Sequence, residues 1–151
     1  MNALKLLKKD HAALQTLFSR FDRTSKADYG KRSELFALIR RELQVHTRAE
    51  EEIFYPALKA LNGEGCRLVS QALKLHGHVD QLLTQISRLN PANKNFDEKF
   101  ENLVETVDLH IQEEEGEIFQ FAEENCSEHE LEDVGRQIEE RKEILGRQLA
   151  A

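Results

Sequence analysis

Four stretches of this chain repeat apolar residues in steps of three and four, and each breaks its own stripe with a histidine. The first runs Leu4, Leu7, His11, Leu14, Phe18, Phe21, and the second Leu43, His46, Glu50, Ile53, Ala57. The third runs Val69, Ala72, His76, Val79, Leu83, Ile86, and the fourth Leu103, Val107, His110, Glu114, Ile118, Phe121. Such steps hold residues on one face of an α-helix, whereas a half-buried strand alternates in steps of two. No stretch of the chain has the alternating pattern, so the fold class is all-α. Every stripe therefore turns one imidazole toward the interior, and two of them add a carboxylate one turn later.

Clusters of polar turn residues at 24–30, 62–65, 90–95 and 125–127 separate five helical segments, predicted at 2–22, 31–61, 66–90, 96–124 and 128–149. Ser127 followed by Glu130 reads as a capping box opening the last of them. Segments of about 20–30 residues span roughly 30–45 Å at about 1.5 Å per residue. Short connections make successive helices antiparallel neighbours. The expectation is an up-down-up-down antiparallel four-helix bundle over 1–124, with an additional C-terminal helix over 125–151 packed on the same domain. That helix has a weaker stripe, Leu131, Val134, Ile138, Ile144 and Leu149, suited to the outside of the bundle or a partner's surface. A length of 151 residues accommodates one domain with a single sizeable core.

Composition excludes several functions. With 21 basic and 28 acidic residues the net charge is −7, and the basic residues are scattered. A phosphate-tracking surface wants the opposite sign, so neither nucleic acid nor an anionic membrane is an expected partner. No apolar run approaches the roughly 20 residues that cross a bilayer. Lys5, Lys8 and Lys9 interrupt the N-terminal leucines, which leaves no signal-peptide core, and a cytoplasmic location is expected. Cys66 and Cys126 belong to no CxxC or zinc spacing and read as reduced structural thiols.

A buried carboxylate without a partner costs several kcal/mol, and four inward imidazoles need partners as well. A pair of divalent cations supplies them: neutral imidazoles donate nitrogen lone pairs and carboxylates bridge two metals. The candidate ligands are His11, His46, Glu50, His76, His110 and Glu114. The second and fourth segments also repeat one frame, His46-x3-Glu50-Glu51 to Phe54-Tyr55 and His110-x3-Glu114-Glu115 to Ile118-Phe119, at a constant offset of 64. Two helices thus present equivalent pairs from opposite sides.

Other polar residues fall off the pattern. His78 lies about 200° round the helix from His76 and is expected to be exposed, as is His129 in the first turn of the last helix. Glu51 and Glu115 are about 100° from the inward glutamates, which suits surface or supporting roles better than ligation. Glu115 becomes an alternative bridge if the helix is overwound near Gly116. Asp10 is a candidate hydrogen-bond partner of a ligating imidazole. Pro56 is expected to bend the second helix just beyond the site, and Tyr55 to serve in packing.

The order Asp10-His11, His46-x3-Glu50-Glu51 with Tyr55-Pro56, a lone His76 followed by Val79 and Leu83, and His110-x3-Glu114-Glu115 resembles the hemerythrin-like HHE cation-binding domain over about residues 4–124. The acidic last helix, with Leu131 to Gly135 and Arg141 to Leu145, resembles small actinobacterial hemerythrin-like proteins. The resemblance implies a non-haem centre of two oxo- or hydroxo-bridged iron ions. In it, four histidines would be terminal ligands, and Glu50 and Glu114 would bridge. Oxygen-carrying hemerythrins have a fifth histidine four residues from the one on the third helix, where this chain has Ala72 and Asp80. Water, Asp80 or another oxygen donor is expected to take its place.

Mixed nitrogen and oxygen ligation suits iron, with manganese or zinc as possible substitutes. The leading functional expectation is the handling of a small oxidant (peroxide, O2 or NO), foremost catalase-like peroxide disproportionation or oxidative-stress defence. The alternative is a non-catalytic module that binds, stores or senses iron, O2 or NO.

Overall fold

The computed structural model describes residues 1–150, and every regular element among them is helical. Helix α1 (Ala3–Asp22) opens at Asn2, whose side chain accepts a hydrogen bond from the Lys5 amide, and α2 (Tyr29–Ala49) opens on Asp28 in the same way. A π-helical turn (Glu50–Phe54) joins α2 to α3 (Tyr55–Lys59). Helix α4 (Gly63–Ser87) starts at Asn62, whose side chain accepts from the amides of Glu64 and Gly65. Helix α5 (Lys94–Glu113) runs through a second π-helical turn (Glu114–Ile118) into α6 (Phe119–Asn125). Helix α7 (Glu128–Ala150) completes the chain. Side-chain oxygens at these N-caps each satisfy amides that the first helical turn leaves free. The predicted capping box is present: the Ser127 amide donates to Glu130 Oε1 at 3.2 Å and the Glu130 amide to Ser127 Oγ at 3.1 Å.

The five predicted segments correspond to α1, α2–α3, α4, α5–α6 and α7, and the first four form the bundle. Every stripe residue of the first, third and fourth segments is buried. The second departs from expectation: beyond Glu50 it buries Phe54, Tyr55 and Leu58, leaving Ile53 and Ala57 half-buried. Phe54 is an ordinary step of four beyond Glu50, and the extra residue of the π-helical turn brings Tyr55 and Leu58, five and eight beyond it, to the inward face. Pro56 lies in the first turn of α3, directly after that wider turn, where its missing amide is tolerated.

Helix α7 packs on α1, α2 and the first π-helical turn. Its inward residues are Leu131, Ile138 and Leu145, while Ile144 and Leu149 are exposed. Leu145 stands two turns after Ile138, so it, not Ile144, returns to the buried side. The approach is close at Gly135, where any side chain would collide with the Met1 carbonyl oxygen and sit 2.8 Å from the Ala3 nitrogen.

The core falls into two apolar clusters. One gathers Leu4, Leu7, Phe54, Tyr55, Leu58, Val69, Phe119 and the inward face of α7. The other gathers Leu14, Phe18, Phe21, Phe36, Ile39, Val79, Ile86, Phe96, Phe100 and Leu103. On each stripe the histidine lies between residues of the two clusters, so the histidines and glutamates form a polar layer across the middle of the bundle. No helix among the described residues is long and apolar enough to cross a membrane.

Candidate metal centre

The two π-helical turns begin at the two inward glutamates. The Tyr55 amide donates to the Glu50 carbonyl oxygen, and the Phe119 amide to that of Glu114, each reaching back five residues instead of four. The wider turn brings the residue five positions beyond each glutamate back toward the bundle axis. Tyr55 and Phe119 are those residues, and both are buried against the polar layer.

All six sequence-predicted residues lie in that layer, none more than 4% exposed. They form two overlapping groups, His11, His46, Glu50 and Glu114, and His76, His110, Glu50 and Glu114, each with ligand atoms within 4.8 Å of one another. The two carboxylates belong to both groups, which is the arrangement a pair of bridged cations requires. His11 Nε2 stands 3.2 Å from Glu114 Oε1, and His46 Nε2 3.2 Å from Glu50 Oε1. On the other side His76 Nε2 is 3.2 Å from Glu50 Oε1, and His110 Nε2 is 3.3 Å from Glu114 Oε2.

These separations do not amount to a satisfied network. His11 Nε2, His46 Nε2, both oxygens of Glu50 and Glu114 Oε1 are buried with no hydrogen-bond partner. Native interiors leave few such atoms, and here five converge on one spot. With the imidazoles neutral, these atoms aim their lone pairs at one point, an arrangement that fits a cation.

The outer ring nitrogens explain the orientation. His11 Nδ1 is 2.6 Å from Glu115 Oε2, and His46 Nδ1 is 3.1 Å from Asp10 Oδ2. An Nδ1–H donated to a carboxylate leaves Nε2 as the free lone pair facing the centre. Asp10 in turn accepts from Lys142 Nζ, so α7 takes part in holding His46. Asp10 and Glu115 therefore support imidazoles. Glu115 reaches His11 from a turn that is wider than α-helical, not overwound as its alternative role as a bridge would need. Asp80 is exposed and belongs to neither ligand group, and His78 and His129 are exposed as well.

Tyr55 departs from its expected packing role. Its hydroxyl donates to Glu114 Oε2 and lies 3.2 Å from His76 Nε2, inside the polar layer. In the repeated frame Phe119 occupies the equivalent position, stacking on His11 at 6.1 Å between centroids and 6° between planes. One half of the centre thus has a hydroxyl where the other has a bare ring.

Electrostatics follow from burying imidazoles beside carboxylates. Burial works against the charged form of His46, but the Glu50 carboxylate and Asp10 outweigh it and raise its pKa to about 10. His110 is likewise raised to about 10, by Glu114 and Glu50 against its own burial. Burial would push Glu50 up, yet the neighbouring His46, with Glu114 and His110, holds it well below the usual carboxylate range. Burial, then the charges of Glu114 and Glu50, keep Tyr55 protonated well above its ordinary value. The carboxylate pair attracts positive charge, as protons or as metal.

Fold and site together define a helical bundle enclosing a buried cation cage. The sequence profile of the hemerythrin HHE cation-binding domain matches residues 2–122, and the chain belongs to that family. Among curated relatives, it is 26% identical over 149 residues to a DNA nickase of a Nostoc species, covering 99% of this chain and 41% of that protein. An uncharacterised hemerythrin-like protein of Schizosaccharomyces pombe is 28% identical over 138 residues, covering 91% of this chain and 67% of that one. The chain thus spans about two fifths of the cyanobacterial relative. A crystal structure of a hemerythrin HHE cation-binding domain-containing protein from Mycobacterium kansasii shares the fold. It superposes with a TM-score of 0.86 at 24% identity, covering 98% of this chain and 89% of that one.

Proposed function

We propose that the chain is a non-haem di-iron protein that handles a small oxidant, foremost by catalase-like disproportionation of peroxide. The observation that carries this reading is the pair of ligand groups sharing Glu50 and Glu114, with their inward atoms otherwise unpartnered. His11 and His46 would hold one ion and His76 and His110 the other, with both glutamates between them. Tyr55 adds an oxygen donor on the His76 side. Iron in such a cage supplies reversible electron transfer and affinity for peroxide, O2 or NO, and manganese or zinc suits the same donors.

The surrounding residues restrict what can react. Phe54 and Phe119 pack edge to face at 6.0 Å beside His11, and with Tyr55 they exclude bulk water from one side of the layer. A shallow cleft of about 10 Å³, edged by the exposed Gln71, Glu113 and Glu117, reaches His110 and Ala72. The burial of all six cage residues favours peroxide or a diatomic gas over larger substrates. The Tyr55 hydroxyl holds a proton against Glu114 Oε2, the one phenolic proton in contact with the cage among the described residues. The net charge of −7 argues against carrying the nickase activity of the Nostoc relative to this chain.

The near-complete enclosure of the cage favours a second reading, a non-catalytic module that binds, stores or senses iron, O2 or NO. Oxygen evolution from peroxide distinguishes the two. Iron-loaded protein that evolves oxygen above an equal amount of free iron, with loss of that activity in Glu50→Ala, supports disproportionation. Reversible ligand binding without evolution replaces it with the binding module.

A further inference from the structure

The supporting carboxylates do not grip the cage histidines equally. Glu115 holds His11 Nδ1 at 2.6 Å and Asp10 holds His46 Nδ1 at 3.1 Å. Glu51, the repeat counterpart of Glu115, stands 3.4 Å from His76 Nδ1 without hydrogen-bond geometry. That nitrogen is buried and unpartnered on a residue only 2% exposed. Of these three rings, only His76 has an outer nitrogen without a hydrogen-bonded carboxylate, while its Nε2 is held by the Tyr55 hydroxyl at 3.2 Å and His110 Nε2 at 3.1 Å.

The carboxylate it faces lines a groove of about 360 Å³ between α2 and α4, walled by Gln44, Thr47, Glu51, Asp80, Leu83 and Thr84. Arg48, the basic side chain on the wall, is directed to Glu52 at 3.7 Å. Glu51 and Asp80 put two carboxylates on the lining of the same groove, where their like charges repel. A divalent cation relieves that repulsion, and carboxylate oxygens can replace its waters one at a time.

Resting on the metal-centre reading, we propose that this groove is the loading route for the divalent cation of the His76/His110 half. Glu51 and Asp80 capture the ion, and Glu51 hands it on past His76, whose Nδ1 it faces at 3.4 Å. The step is ligand exchange: water leaves the cation, carboxylate and then imidazole replace it, and no electron moves. Asp80 acts only in transit, which separates it from a resident ligand.

The test is the uptake of Co(II) by chelator-stripped protein, followed by stopped-flow absorption of the cobalt d–d bands and by final metal content. Asp80→Asn is expected to slow loading about three- to tenfold at low salt, and Asp80→Lys further, as steering charges do. Both are expected to end at the wild-type stoichiometry, with the difference shrinking as salt screens the groove. Glu101→Gln, on α5 and away from the groove, is the charge-matched control and is expected to load at the wild-type rate. Unchanged rates in both Asp80 variants of a protein that loads two ions overturn the route, and so does a lowered final stoichiometry in Asp80→Asn. A wild-type chain that takes up no cobalt overturns the metal-centre reading itself.

Discussion

Replacing Tyr55 with phenylalanine removes one oxygen atom from a residue that is 1% exposed and leaves the ring volume in place. No cavity opens, so the effect isolates the hydroxyl. That hydroxyl donates to the Glu114 carboxylate and lies 3.2 Å from His76 Nε2. A hydrogen bond to a charged group contributes about 1.5–3 kcal/mol, and its loss leaves the buried Glu114 oxygen without its donor. For a chain of this length 1 kcal/mol corresponds to about 2–4 °C, so a loss near 2 kcal/mol lowers Tm by about 4–8 °C. Calorimetry of chelator-stripped protein at neutral pH measures this directly. On loading, the same substitution is expected to weaken the ion of the His76/His110 half more than the other, because Tyr55 stands beside His76 and touches the His11/His46 half only through the shared Glu114; chelator competition reads the two separately. The mirror change Phe119→Tyr places a hydroxyl over His11 and provides the internal comparison. A Tm within about 1 °C of wild type, together with unchanged affinity for both equivalents, would return Tyr55 to a packing role.

Lys142→Met removes the α7 contact that holds Asp10 against His46, and the ion of the His11/His46 half is expected to leave about tenfold faster to a chelator, with Lys142→Arg restoring retention. The folded pKa of about 10 for His46 and His110 lies above their ordinary 6.5, so their stabilisation of metal-free protein is complete below about pH 6.5 and lost as pH rises through 10. Glu50, held low, contributes above its ordinary 4.5 and loses that contribution under stronger acid. Urea denaturation is therefore expected to show the metal-free protein less stable at pH 9 than at pH 6, and the opposite order contradicts the electrostatic account. Gly135→Ala is expected to destabilise by about 1–3 kcal/mol despite better helix propensity, since the new methyl meets the Met1 carbonyl. Gly77→Ala, with open space around it, is expected to gain up to about 1 kcal/mol, and equal effects at the two sites would refute the close approach of α7.

Much of the bundle was legible because steps of three and four are periodic over many turns. The polar intruders on the stripes were legible for the same reason, since each occupies a position that apolar neighbours show to be inward. What the pattern did not disclose is local. A π-helical turn adds a single residue, and a strict helical period carried through Glu50 assigns Ile53 and Ala57 to the interior in place of Phe54, Tyr55 and Leu58. The role of Tyr55 was lost in that shift, because five residues of ordinary helix turn it away from Glu50. The signal was nonetheless present: the frame repeated at an offset of 64 sets an aromatic residue five beyond each inward glutamate. On α7 a weak stripe leaves the register loose, so the pattern points to Ile144 where the structure buries Leu145. Lys142 had no signal at all, as its partner Asp10 lies 132 residues away.

The central claim is that Glu50 and Glu114 stand between two cations at the middle of the bundle. Anomalous diffraction at the iron edge from crystals of iron-loaded protein tests it most directly. The account predicts two iron peaks per chain, one beside His11 and His46 and the other beside His76 and His110, each in contact with both glutamates. A single peak, iron confined to the surface, or glutamate oxygens bonded to protein donors in place of metal would contradict it.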